Sequence, residues 1–307
     1  GIDQGKLAQP LPSGKKVGVI NERTAVRLNL AKDAFVVTGG HDQPCSALGA
    51  NAAAPKAAVY STGTVECLTP AFNRPIFSKQ LMNANLCTYH HTSEDMYATV
   101  AFSLTGGNLL KWFRDQFGQL EIEQAAKDGT SAYKLLFEQM PEKPADILVL
   151  PYFTPTGTPY FDTEVKGMIY GLTLSSTRGQ ILRSLLEGVA MEMRLNLKIL
   201  EDCGYPVNEL RAIGGGAKSK KWIQLKADVF NKQITVMNVT EAGCMGAAIL
   251  AAAAEKRAPA ANLAKIWVKP EFTVYPQKAN VQFYNQKFNR YQSLYPMLKK
   301  WRHCERF

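Results

Sequence analysis

Asp42 stands directly behind Gly39-Gly40, in the run FVVTGGHDQPCSALGANAAAPKAAVYSTGT that spans residues 35–64. The same stretch closes on Ser61-Thr62-Gly63-Thr64. A carboxylate beyond paired glycines, facing a turn rich in hydroxyls, is suited to taking a proton from a substrate hydroxyl. The turn is suited to offering backbone N–H groups and the Thr64 hydroxyl to a phosphate. Each piece also has a plain structural reading: the Asp as a helix N-cap, the Ser-Thr-Gly-Thr as a turn. A second glycine element, Gly214-Gly215-Gly216 followed by Ser219, favours the chemical reading. There a backbone can approach a ligand with no Cβ in the way, and Ser219 can cap the helix that follows.

The elements that must carry these residues are legible as an alternation. Phe35–Val37 reads as a strand, residues 45–50 as a small-residue helix, and the apolar run before Ser61 as a second strand. A strand pair is expected at 65–70 and 84–90, and a third β-run at 96–104. Residues 108–117 (NLLKWFRDQF) form an amphipathic helix closed by Gly118. One further helix is expected at 131–140, then a strand at 146–150 and a long aperiodic loop to Gly171. Thr177 and Gln180 form a capping box that opens a helix with Leu182, Leu185, Val189, Met193 and Leu200 on one stripe. Gly204 ends it. Strands at 209–213 and 233–239 alternate with helices at 220–230 and 241–254, which is an α/β pattern.

The bulk numbers fit a folded chain. It has 307 residues, 46% hydrophobic and 20% charged, enough to build a full core. No run of about 18 apolar residues appears, so no membrane span is expected. The six cysteines are scattered and the four histidines show no zinc-like spacing with them, so free thiols in a cytoplasmic setting and no protein-held metal are expected. The net charge is +10, and Lys265 to Phe307 holds nine Lys/Arg against two Glu. No nucleic-acid module accompanies that excess; it reads as a solvated tail helix, an acidic partner's contact, or a weak attraction for a polyanion such as a nucleotide. Neither G-x-G-x-x-G nor the P-loop pattern occurs, so a nucleotide must be held in another way.

In order along the chain, TGGHDQPCSALG, STGT, LTGGNLLKWFRD, IGGGAKSKKWIQLKADVF and EAGCMGAAILAA resemble the C-terminal half of the FGGY carbohydrate kinases. The resemblance runs from about residue 10 to about residue 260. It implies an α/β, ribonuclease H-like (actin/hexokinase-type) domain with β-rich and helical insertions. It implies phosphoryl transfer from ATP, with Mg²⁺, to a sugar hydroxyl, and Asp42 then matches the general base. Gly63 and Thr64 match the turn on the nucleotide's phosphates, Gly107 and Lys111 residues lining the nucleotide site, and Gly215, Gly216 and Ser219 the turn at the adenosine end. Asn231-Lys232-Gln233 departs from the family's Gly-x-Pro. No D-x-G-T turn precedes Gly1, so the N-terminal sugar-binding domain is expected to be absent. On this reading residues 1–34 join the halves, 35–260 form the nucleotide-binding domain, and 261–307 a basic, aromatic helical extension. The partners are ATP and a sugar held mainly by the other half, without nucleic acid or membrane; a homodimer is left open. By itself the half is expected to be inactive. The competing readings are a stand-alone nucleotide-binding or regulatory module and an ATPase of the actin type.

Overall fold

The computed structural model of the chain describes residues 1–255 and 257–304. The leading segment, expected as a linker, contains β1 (Lys16–Val19) and α1 (Glu22–Leu28), and β1 pairs antiparallel with β2 (Phe35–Val37). Then come α2 (Asp42–Gly49), β3 (Ala57–Thr62) and β4 (Glu66–Phe72), followed by α3 (Lys79–Asn83), β5 (Tyr89–His90), β6 (Tyr97–Ala98) and β7 (Ala101–Ser103). Three helices follow, α4 (Gly107–Phe117), α5 (Gln119–Asp128) and α6 (Ala132–Gln139). After the β8 (Leu148–Leu150) and β9 (Met168–Tyr170) pair, the chain runs through α7 (Arg178–Asp202), β10 (Glu209–Ile213), α8 (Lys220–Phe230), β11 (Ile234–Met237) and α9 (Ala242–Ala254). It finishes with α10 (Ala260–Trp267), β12 (Pro270–Val274) and α11 (Lys278–Cys304).

One mixed sheet organises the rest, in the order β12-β11-β10-β3-β4-β6-β5, with β7 also on β4. The centre is parallel, β11-β10-β3, and β4 returns antiparallel to β3 through the turn at Gly63. Of the centre strands, β11 is buried throughout and β3 at all but Ser61, as strands covered by helices on both faces are. On β3, Val59 packs with Leu48 of α2 and Ile249 of α9, whereas Ala58 and Tyr60 belong to the larger core that holds α7 and α8. That alternation is the period-2 geometry of a strand serving two cores. The backbones of α2 and α9 touch: a Cβ on Gly49 would collide with the Ala242 carbonyl, and one on Gly246 with that of Cys45. Helix α2, and so Asp42, is thereby fixed against the sheet.

Five expectations about elements need correction, one being the aperiodic loop to Gly171, whose last residues, Met168–Tyr170, are the strand β9 paired with β8. The run 84–90 is not one strand; Ser78 Oγ caps the short α3 at Leu81 N (3.1 Å), and only Tyr89–His90 pair. The run 96–104 breaks at Thr99-Val100, so β6 and β7 pair with opposite ends of β4. An additional helix, α5, fills 119–128 and ends at Gly129, whose φ of +62° is left-handed. The C-terminal extension is not purely helical, since β12 adds an antiparallel edge to β11. Tyr284, Phe288 and Tyr291 of α11 are buried in the main core; Glu305, Arg306 and Phe307 lie outside the described residues. The α7 capping box forms as its sequence requires, with Thr177 and Gln180 bonded reciprocally, and Gly204 follows the helix at φ +90°. No helix among the described residues is long and apolar enough to cross a membrane.

Candidate nucleotide site

Three separate segments, 63–64, 107–111 and 215–219, converge on one cavity of about 930 Å³. Gly63, Thr64, Gly107, Lys111, Gly215, Gly216 and Ser219 all line it. The sheet explains the convergence. β3 and β10 are parallel neighbours, with Ser61 opposite Ile213, so the turns that follow them leave the sheet at the same edge. Ligands bind at that carboxyl-terminal edge in open α/β sheets.

The first turn is held by α4. Gly107 N donates to the Gly63 carbonyl at 2.9 Å and Asn108 N to the Thr64 carbonyl at 3.2 Å. These bonds consume amides that a helix start would otherwise present to an anion, so Gly107 serves by closeness. A Cβ there would sit 2.7 Å from the Gly63 oxygen. With both carbonyls occupied, the Thr64 amide and hydroxyl have no protein partner among the described residues.

The second turn is a 3-10 turn over Gly215–Lys218, preceded by Gly214 at φ +91°. A Cβ at Gly214 would lie 2.8 Å from the Thr62 carbonyl, and one at Gly216 would lie 2.5 Å from Thr62 Oγ1 and 3.0 Å from the Trp222 ring. Gly215 differs: nothing lies within 4 Å of where its Cβ would be. Ser219 is the α8 N-cap, its Oγ accepting from Trp222 N at 3.3 Å.

The cavity is electropositive. Lys111, Lys134, Lys218, Lys220 and Lys221 line it, with Glu138 the acidic residue among the lining residues. Such a concentration of one sign draws a polyanion. Lys111 is already paired with Asp115 at 2.6 Å. Trp222, Tyr133 and Phe137 supply flat apolar surface. Sequence reasoning placed α6 but not its cavity face, because Tyr133, Lys134 and Phe137 carry no motif. No group of three or more His, Cys, Asp or Glu able to hold a metal occurs among the described residues. Cys45, Cys67, Cys87, Cys203 and Cys244 are free thiols.

Behind the cavity lies a buried ion pair that sequence reading missed. Lys226 Nζ donates to Glu66 Oε1, and Tyr60 donates to Glu66 Oε2. Both charged side chains have zero exposure. Burial lowers the Lys226 pKa, against the opposing pull of Glu66. Removing one partner of such a pair costs about 3–5 kcal/mol, whereas apolar replacement of both is close to neutral.

Asp42 is not among the residues lining this cavity. It opens α2 as its first residue, and the N-cap is His41, whose Nδ1 accepts from Gln43 N at 3.2 Å. The Asp42 carboxylate is 77% exposed and 3.0 Å from His41 Nδ1. Burial, then the Glu66 and Asp42 charges, push the Cys67 thiol up to about 12. Cys67 pairs with Ser61, two residues before Gly63. The Asp42 charge is thus felt at the second residue pair from the tip of the hairpin that lines the cavity.

Residues 58–255 match the C-terminal domain of the FGGY family of carbohydrate kinases. The xylulose kinase of Staphylococcus epidermidis is 29% identical over a region covering 96% of this chain and 58% of that protein. The gluconokinase of Bacillus licheniformis is 28% identical, over 81% of this chain and 49% of its own length. Among solved structures, ligand-bound xylulose kinase from Lactobacillus acidophilus superposes with a TM-score of 0.85 at 20% identity, covering 97% of this chain and 59% of that one. Plasmodium falciparum glycerol kinase with ADP gives a TM-score of 0.74 at 20% identity, covering 91% and 54%. The chain thus spans about half to three fifths of the length of the relatives it matches. The match takes in more than half of the chain, and the chain belongs to the FGGY family of carbohydrate kinases.

Proposed function

We propose that the chain is the nucleotide-binding half of an ATP-dependent carbohydrate kinase, which transfers the γ-phosphoryl group of ATP to a hydroxyl of a pentulose, polyol or sugar acid. The observation that carries this reading is the convergence of residues 63–64, 107–111 and 215–219 on one lysine-lined cavity. The xylulose kinase and gluconokinase relatives, and the glycerol kinase fold, support the substrate class. In this reading residues 35–260 form the nucleotide unit, 1–34 join it to a sugar-binding lobe, and 261–307 buttress it.

The nucleoside lies against Gly215, Gly216 and Ser219, and the phosphates run toward Thr64 and the lysines. Asp42, exposed at the start of α2 and outside the cavity lining, serves the acceptor. It takes the proton of the attacking hydroxyl, and closing a second lobe over it removes the water that now surrounds it. Phosphoryl transfer asks for positioning and charge stabilisation rather than covalent help. With Glu138 the one carboxylate on the lining among the described residues, those residues offer Mg²⁺ no cage of their own. The ion fits as one carried by the ATP phosphates and water, where it would neutralise charge developing on the transferred group.

The test is ADP release by the polypeptide that includes the sugar-binding lobe, with xylulose, gluconate and glycerol each offered as acceptor. Acceptor-dependent release that disappears in Asp42→Asn is expected. Release independent of any acceptor would replace transfer with plain ATP hydrolysis.

A further inference from the structure

We infer that the buried Glu66–Lys226 pair sets the spacing of the two glycine turns, making both side chains positioning residues for the nucleotide's phosphates. This rests on the nucleotide reading of the cavity and adds to it a device that neither the glycine motifs nor the comparisons assign.

The pair is the middle link of a chain of contacts from one cavity wall to the other. Glu66 begins β4, two residues after Thr64, and its Cγ would lie 2.9 Å from a Cβ on Gly106. Gly106 is the N-cap of α4, so the Glu66 stem is wedged under the helix start that braces the 63–64 turn. Lys226 lies on α8, two helical turns after its N-cap, Ser219. Its ammonium sits over the Trp222 ring at 4.1 Å and over the Tyr60 ring at 4.8 Å. The Trp222 ring in turn supports Gly216. Both Glu66 oxygens are occupied, one by Lys226 and one by Tyr60.

A well-packed apolar pair would fill this position without desolvating two charges. What an apolar pair does not supply is a fixed distance, because dispersion is non-directional whereas a charge-assisted hydrogen bond has one preferred length and angle. The spacing it fixes, between the 63–64 turn and the 215–219 turn, is the one a nucleotide must span from its phosphates to its nucleoside. Lys226 itself has no exposure and is not among the residues lining the cavity.

The experiment compares Glu66→Gln, Lys226→Met and the double variant Glu66→Leu/Lys226→Met by thermal melting and by calorimetric titration of the chain with Mg·ATP and with adenosine. The single variants are expected to melt lower than wild type and the double variant to recover most of that loss. All three are expected to lose ATP affinity by about ten- to a hundredfold, the scale of a small misplacement, while adenosine affinity stays within about twofold. Wild-type ATP affinity in a double variant with recovered melting would overturn the proposal and reduce the pair to core filling. Equal losses for ATP and adenosine would also overturn it, as general loosening. If wild type binds neither probe, the nucleotide reading fails first and takes the proposal with it.

Discussion

The amide of Gly107 donates to the carbonyl of Gly63 at 2.9 Å, so the tip of the β3–β4 hairpin and the start of α4 form one backbone surface. A Cβ on residue 107 would stand 2.7 Å from that carbonyl. Gly107→Ala is therefore expected to destabilise the protein by about 1–3 kcal/mol, the usual cost of overpacking, and to weaken ATP binding by displacing the turn. Urea denaturation with ATP titration checks both; an unchanged midpoint would mean the helix start can back away freely.

Asp42 is exposed and caps nothing, its neighbour His41 being the N-cap. Asp42→Asn should leave stability within about 0.5 kcal/mol, as surface changes do. In the complete kinase it should lower kcat by about two to four orders of magnitude, with KM for ATP little altered, as removal of a general base does. Steady-state kinetics decide this; unimpaired turnover would exclude Asp42 as the base.

The five lysines lining the cavity predict a salt effect that separates charge from shape. Raising ionic strength from low to about 0.5 M should weaken ATP binding several-fold and leave adenosine binding almost level, since screening acts on the phosphates alone. Equal sensitivity of the two ligands would remove the lysines from the phosphate path.

Glu192, buried on α7, accepts from Tyr291 OH at 2.5 Å and Tyr152 OH at 2.9 Å. Burial pushes its carboxyl up to about 7 from 4.5, against those two hydrogen bonds, which lower it. A carboxyl raised in the folded state contributes stability that is present below the unfolded value and lost as pH rises through the folded one. The loss between about pH 4.5 and 7 amounts to about 3 kcal/mol. His91, held down to about 4 by burial, works in the opposite direction, with stability lost as pH falls below the unfolded value of 6.5. The difference between wild type and Glu192→Gln isolates the carboxyl. The variant should gain relative stability between pH 5 and 8, and parallel denaturation profiles would contradict this.

The parts of the fold that were legible in the sequence are those set by local rules. Thr177 and Gln180 announce α7, Gly204 its end, and Ser219 the start of α8, because caps and left-handed turns depend on a few neighbouring residues. The glycine turns were legible for the same reason. Helix α5 was not, as Gln119 to Asp128 is polar and is stabilised by side-chain pairs such as Gln124–Asp128 and by packing on α6. β12 was not, because an edge strand gains its meaning only from β11 beside it. In the site, Glu66 and Lys226 were invisible for a sharper reason. They are 160 residues apart, and either alone reads as an exposed charge; only the sheet and α8 together bury them as a pair.

Gly215 offers the most direct test of the cavity's role, since nothing lies within 4 Å of a Cβ placed there and a larger side chain would enter open cavity rather than the fold. Gly215→Val should melt close to wild type. Calorimetric titration with Mg·ATP should give a single site for the wild-type chain and an affinity at least about tenfold weaker for the variant, since a side chain now stands where the ligand's backbone approach was free. An identical dissociation constant for both proteins would contradict the assignment of this cavity to the nucleotide.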